Sequence, residues 1–352
     1  MSLPRLYLDH AATTPMLPVA KAAMIEAMER WANPSSPHAE GRAARAAIED
    51  ARARIVRTLG HDGALIFTSG ASEAIEIALR RGKAGARLVS AVEHDAVRRA
   101  ARDAGTLPVD QLGRVDAGSI GAEDTLHAIQ LVNNETGVVQ PIEELRARIA
   151  DEGGLLLMDA AQAAGKMPLP TADFISLSAH KLGGPPGIGA LLVRDLALLE
   201  PSGGQEQGYR GGTENVPAIM AFAAALEQGA GWMEEASRLR DRLDAAIRGE
   251  GGIVVADQAI RSPAIASYRM PGVAATAQLI RFDMAGISVS AGSACSSGSL
   301  KPSHVLAAMG WGEQEARETV RVSFGPDTGE ADIDRFLCEW RRIAASAQNR
   351  AA

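Results

Sequence analysis

Residues 154–194 read GLLLMDAAQAAGKMPLPTADFISLSAHKLGGPPGIGALLVR. Three short, mainly apolar runs stand in it, at 155–158, 174–177 and 190–193, with Pro, Gly and small residues breaking the chain between them. Runs apolar on both faces rather than on alternate positions are those of strands covered on both sides. The pattern extends upstream through ALIFTSG (64–70), ARLVSAVEH (86–94) and HAIQLVNNE (127–135), with helical patterns between them such as Pro141 to Glu152. This alternation predicts a doubly wound α/β domain with a mainly parallel sheet.

The chain has 352 residues, 46% of them hydrophobic, which is enough for a sizeable core and more than one domain. Its net charge is -7 and its Lys and Arg are scattered, so it lacks the basic stripe of a nucleic-acid surface. No apolar stretch reaches the roughly 18 residues of a membrane span, and MSLPRLYLDH lacks a signal peptide's apolar segment; a soluble, cytoplasmic protein is expected. Two Cys cannot form a disulfide framework. After Arg210 come amphipathic helical stretches at 216–228 and 233–248, and a final helix is expected over 330–345. The expected division is a large α/β domain over 15–245 and a smaller α+β domain made of 1–14 and 246–352.

Ligands of such sheets sit beyond the carboxyl ends of the strands. There the runs end in Thr68-Ser69, Glu93-His94, Asn133-Asn134, Asp159 and Ser178. FTSGASEAIEIAL reads as strand, small-residue turn and helix, whose first N–H groups at Gly70, Ala71 and Ser72 could cradle a phosphate; an ordinary Ser N-cap fits the same letters. Asp159 emerges from an apolar strand and needs a cationic or hydrogen-bonding partner, such as a pyridinium nitrogen, or else caps the next helix. Lys181 follows 22 residues later. A lone Lys is usually a solvated cation, but a desolvated one is a nucleophile toward an aldehyde. Ser178 and His180 beside it could bind a phosphate, and His94 could stack on a ring or cap a helix. An anion cradle, a carboxylate for a ring nitrogen and an amine for an aldehyde are what pyridoxal 5'-phosphate requires. In ISVSAGSACSSGSLKPSH, Cys295 lies among small residues that leave a thiolate accessible, or simply in a tight turn. Cys338 reads as helix packing or flank, and the His spacings suggest no metal site.

Ten segments in order resemble the cysteine desulfurases of the class V aminotransferase family, fold type I pyridoxal-phosphate enzymes. They are YLDHAATTP, NPSSPHAEGR, FTSGASE, VEHDAV, VNNETGVVQPI, MDAAQAAGK, SLSAHKLGGPPGIGAL, GYRGGTEN, SAGSACSSGSLKPSHVL and VRVSFG. The resemblance implies a large domain built on a mainly parallel seven-stranded sheet flanked by helices, plus a smaller α+β domain carrying the Cys295 stretch. It implies that Lys181 bonds the cofactor aldehyde and later moves the substrate Cα proton, that Asp159 pairs with the pyridine nitrogen, and that Gln162 bonds the phenolic oxygen. By the same resemblance, His94 stacks on the ring and shuttles protons. Ala71, Ser72, Ser178 and His180 hold the phosphate, and Thr213 reaches it from the second subunit of a homodimer. Asn134 and Arg321 hold the substrate carboxylate, and Cys295 takes the sulfur. The implied activity converts L-cysteine to L-alanine and a Cys persulfide, which passes to an acceptor protein for iron–sulfur cluster assembly or tRNA thiolation. A selenocysteine lyase and a non-catalytic sulfur-relay or scaffold subunit are the alternatives. One departure is Ala74-Ile75-Glu76, where relatives often carry Ser and Asn.

Overall fold

The computed structural model describes residues 4–30, 32–121, 123–292 and 302–351, with side chains to residue 346. Strand β1 (Leu6–Tyr7) and helices α1 (Pro18–Glu29) and α2 (Ala39–Leu59) precede the alternating region. That region runs β2 (Ala64–Thr68), α3 (Ala71–Arg81), β3 (Ala86–Ser90), α4 (Asp95–Ala100), β4 (Gly105–Leu107), β5 (Thr125–Gln130), α5 (Ile142–Asp151), β6 (Leu155–Asp159), β7 (Phe174–Ser178) and β8 (Gly189–Val193). There follow α6 (Val216–Leu226), α7 (Met233–Gly249), β9 (Ile253–Val254), β10 (Ile265–Arg269), α8 (Ala275–Met284) and β11 (Ile287–Ser288). The last elements are α9 (His304–Ala308), α10 (Glu313–Arg317), β12 (Thr319–Ser323) and α11 (Glu330–Ala351).

Seven strands form one sheet in the order β2-β8-β7-β6-β5-β3-β4. Only β8 runs antiparallel, pairing with β7 on one side and β2 on the other, because the Gly/Pro-rich turn after β7 is too short for a crossover. Neighbouring residues of one strand enter opposite cores: Leu156 and Leu192 pack with Ile48, Ile55 and Phe222, whereas Leu157 and Leu191 pack with Ile75, Ala78 and Phe174. Both faces are therefore covered, as the runs predict. Burial also explains the departure in α3, since Ala74 and Ile75 lie in that second layer while Glu76 pairs with Arg80 at the surface.

A separate core surrounds the antiparallel sheet β12-β10-β9, where Tyr268, Phe282, Phe336 and Trp340 are buried. Phe282 and Phe336 stack at 4.9 Å. The parallel pair β1–β11 brings the N-terminal segment here, with Leu6 and Leu8 in the same cluster. The expected division at residue 245 falls inside α7, whose buried Ala236, Leu239, Leu243 and Ile247 all pack into this second core. The final helix continues past the expected residue 345 to Ala351. Among the described residues, no helix is long and apolar enough to cross a membrane.

Candidate active site

The carboxyl ends of β2, β5, β6 and β7 open on a cavity of about 820 Å³ that the second core closes from the other side. Ala71, Ser72, His94, Asp159 and Gln162 lie in its wall, as do Asn134, Ser178, His180, Lys181 and Arg321. Thr213 is exposed, in the segment before α6, and does not line this cavity. Cys295 lies outside the described residues.

Lys181 sits in the turn between β7 and β8, where the chain reverses and a side chain must leave the sheet. Its Nζ donates to Ala11 O at 2.6 Å and Ala12 O at 2.8 Å, so the N-terminal segment supplies the amine's resting partners. Burial and then the Arg321 cation lower its pKa to about 8, against the pull of Asp9 and Asp159. Burial and the charges of Lys181 and Lys166 likewise push His180 down to about 4, leaving it neutral. A neutral His180 and a readily neutralised amine suit a pocket that takes an aldehyde.

Asp159 ends β6. Its Oδ1 accepts from Ser176 Oγ at 2.9 Å and from Ala161 N at 3.0 Å, while Oδ2 takes no hydrogen bond among the described residues. Two donors on one oxygen fix the carboxylate's direction and leave the other oxygen for a cationic partner. Gln162 donates from Nε2 to Ala11 O at 2.8 Å, and its buried Oε1 has no partner among the described residues.

The turn before α3 has no side-chain cap: the N-cap is Gly70, at φ +153°, so the Ser N-cap that the letters also allowed is absent. The first helical acceptance is Ala74 N to Gly70 O at 3.2 Å, leaving the N–H groups of Ala71, Ser72 and Glu73 without intrahelical partners. A Cβ on Gly70 would lie 4.0 Å from Ser178 Oγ, and one on Gly189 would meet Gly70 Cα at 2.6 Å. Two glycines thus let β8 press the turn against Ser178, forming a concave, electropositive cradle. His94 caps α4, its Nδ1 accepting from Ala96 N at 3.1 Å, and it also lines the cavity. Desolvation lowers its pKa, with Asp159 opposing and Lys181 assisting.

Arg321 comes from the middle of β12 and is 4% exposed. It donates from Nη1 to Asn134 O at 2.9 Å and from Nη2 to Asp9 Oδ1 at 2.7 Å, and its buried Nε has no partner among the described residues. A guanidinium held on two corners presents its remaining edge for a forked carboxylate contact.

Comparison with known proteins decides the family. The model for Aminotransferase class-V matches residues 6–336. The chain belongs to this family. It is 38% identical to the cysteine desulfurase IscS 1 of Archaeoglobus fulgidus, over 94% of each chain. It is 36% identical to the cysteine desulfurase NifS of Azotobacter vinelandii, over 98% of this chain and 94% of that one. The NifS-like protein from Rickettsia africae superposes with a TM-score of 0.87 at 30% identity, covering 97% of this chain and 99% of that one. The α/β architecture expected from the strand runs is the one these relatives share.

In this member of the family several polar residues in and beside the cavity were given no role by the sequence. Asp9 was legible within YLDHAATTP but unassigned, and it proves to be the partner of Arg321. Glu93, next to His94, is fully buried. Its Oε1 accepts from Gln130 N at 2.8 Å, Oε2 has no partner among the described residues, and burial with Asp159 raises its pKa well above the usual range. His304 Nε2 meets Glu93 O at 2.9 Å, tying α9 to the end of β3. Burial and Lys181 push Lys166 down to about 7. A charged letter buried beside other motifs was the available signal in each case.

Proposed function

We propose that this chain is a cysteine desulfurase that uses pyridoxal 5'-phosphate to remove sulfur from L-cysteine, releasing L-alanine. The reading rests on one observation above the rest: a desolvated Lys181 amine, a half-satisfied Asp159 carboxylate and the Gly70–Ser72 cradle share one cavity wall. The residues fit the cofactor. Asp159 Oδ2 and the Gln162 side chain would supply ring partners; Ala71, Ser72, Ser178 and His180 would supply the anion site; Lys181 would supply the amine for the aldehyde. Bound there, the group withdraws electrons from the substrate's Cα–H and Cβ–S bonds.

The protein's own groups do the rest. Arg321 and Asn134 hold the substrate carboxylate and so aim Cα–H at Lys181 Nζ. Lys181, whose pKa of about 8 leaves a useful neutral fraction near pH 7, takes that proton and returns it. His94, neutral for the same reason of desolvation, covers the ring face and relays protons. The Cys295 thiolate attacks the substrate sulfur; an S–S bond forms, the Cβ–S bond breaks, and Cβ gains a proton, giving alanine and a Cys persulfide. The persulfide passes to an acceptor protein serving iron–sulfur cluster assembly or tRNA thiolation. Thr213 is exposed and does not line its own chain's cavity, which is compatible with its serving the second subunit of a homodimer. The scattered charge and the absence of a spanning helix among the described residues support a cytoplasmic location.

The test is alanine release and persulfide formation from L-cysteine by the holoenzyme and by Cys295→Ser. The wild type should release alanine and carry one added sulfur on Cys295. The variant should still shift the cofactor's visible absorption on adding L-cysteine but release little alanine. Unchanged turnover would remove Cys295 from the reaction, and a wild type that binds no cofactor would end the whole reading.

A further inference from the structure

A second cavity, of about 180 Å³, lies beside the first, and Lys181 stands in the lining of both. Lys166, Thr14, Gln228, Trp232 and Pro326 also line the smaller one, and no carboxylate is among its lining residues. It is not sealed, since Gln228, Gly229 and Gly231 in its wall are exposed and give solutes a way in.

Lys166 lies in the turns after β6 and is only 7% exposed. Its backbone N–H donates to Ala163 O at 2.9 Å, but its Nζ makes no hydrogen bond or ion pair among the described residues. The titratable groups facing this amine are Lys181, from the turn after β7, with His180 beside it, and His10, from the N-terminal segment. Asp327, just past Pro326, acts on His10 but not on Lys166. A buried ammonium with no counter-charge is expensive, which is why burial and the Lys181 charge hold this amine near 7. Helix α7 adds to the positive field. Its N-cap, Trp232, lines the cavity and no side chain caps the helix, so the positive end of a 17-residue helix borders the space. Glu234 and Glu235 of its first turn lie outside the lining. The Trp232 indole N–H and the Gln228 amide are further donors without a partner among the described residues.

We propose that this cavity is a binding site for one small anion, a halide, an oxyanion or a short carboxylate, with Lys166 as its counter-charge. The volume equals that of about six waters, room for such an ion with part of its hydration shell. On entry the anion supplies the charge that the wall lacks, and Lys166 Nζ takes a proton from solvent and donates to it. Neither Arg321 nor the Gly70–Ser72 turn lines this space, so the site is distinct from those proposed for the substrate carboxylate and the cofactor phosphate.

Chloride binding to the holoenzyme, in which the cofactor fills the phosphate cradle, tests this at pH 8 by chloride NMR line broadening. The wild type should show broadening that saturates with chloride, and competition by phosphate and by acetate ranks oxyanion and carboxylate against halide. His10 and His180, held near 4, stay neutral, so binding should draw up to one proton per anion onto Lys166, read with an indicator dye in weak buffer. Lys166→Met should weaken chloride binding about tenfold or more and abolish the proton uptake. Gln228→Glu, at an exposed position, puts a carboxylate in the wall and should weaken binding as well; it carries the test if Lys166→Met does not fold. Absence of saturable broadening in the wild type would overturn the proposal. So would broadening or proton uptake that persists unchanged in Lys166→Met, or in Gln228→Glu where that is the folded variant, because the anion would then bind elsewhere. None of these readouts depends on turnover of L-cysteine.

Discussion

Replacing Lys181 by Met in the cofactor-free protein should change stability in a way that depends on pH. The folded chain holds the amine at a pKa of about 8, against 10.5 for an ordinary lysine. At about 1.4 kcal/mol per tenfold change, that gap costs the folded state about 3 kcal/mol whenever the amine is charged. The unfolded chain keeps its proton up to pH 10.5, whereas the folded chain releases it above 8. The penalty is therefore full below pH 8 and fades as the pH climbs toward 10.5. At pH 8 about 3 kcal/mol remain, and at pH 10 about 1 kcal/mol. Met also loses the hydrogen bonds to Ala11 O and Ala12 O, a cost that both amine forms avoid and that shifts all pH values alike. Starting at pH 8 keeps Lys166, with its pKa near 7, largely neutral. Urea unfolding of wild type and Lys181→Met at pH 8 and 10 reads the effect directly. The variant's stability relative to wild type should fall by about 2 kcal/mol over that range. A difference that stays constant with pH would mean that the amine is not desolvated, and the argument for a neutral nucleophile at Lys181 would fail.

Gly189→Ala should place its Cβ 2.3 Å from Leu177 O and push β8 off β7 and off Gly70; we expect a loss of about 1–3 kcal/mol in thermal unfolding together with weaker cofactor binding by fluorescence titration. Arg321→Lys cannot hold Asp9 and Asn134 O while forking to a carboxylate, so KM for L-cysteine should rise about tenfold in steady-state kinetics, and an unchanged KM would remove Arg321 from substrate binding. Tyr268→Phe strips the buried Asp244 Oδ1 and Arg240 Nη1 of a shared partner, at 2.5 and 2.6 Å, and should lower stability by about 1–3 kcal/mol in urea.

Local pattern carried much of the site. Asp159 and Lys181 were legible because a buried strand must exchange apolar for polar letters where it leaves the core, and the last residue of such a run faces the ligand edge. The Gly-rich turn before α3 was legible for a similar reason, since a short turn into a helix leaves its first N–H groups unpaired whatever the rest of the chain does. The ordered motifs added Gln162, Asn134 and Arg321, which no periodicity marks.

The meeting of distant surfaces was decided only in three dimensions. Strand β8 is the last of the large sheet's seven strands along the chain yet inserts between β2 and β7, and this crossing presses Gly189 against Gly70. Arg321 and Asp9 are 312 positions apart and pair because the small sheet and the β1–β11 pair bring both chain ends to one wall. Helix α7 reads as amphipathic, but its spacing does not say which core its apolar face will join. Glu135 looks like any loop acid until folding buries it between Gly292 and Ser303. Propensity and alternation act over a few residues and are written in the sequence itself, whereas burial, desolvation and charge pairing act between surfaces whose partners are chosen only when the whole chain packs.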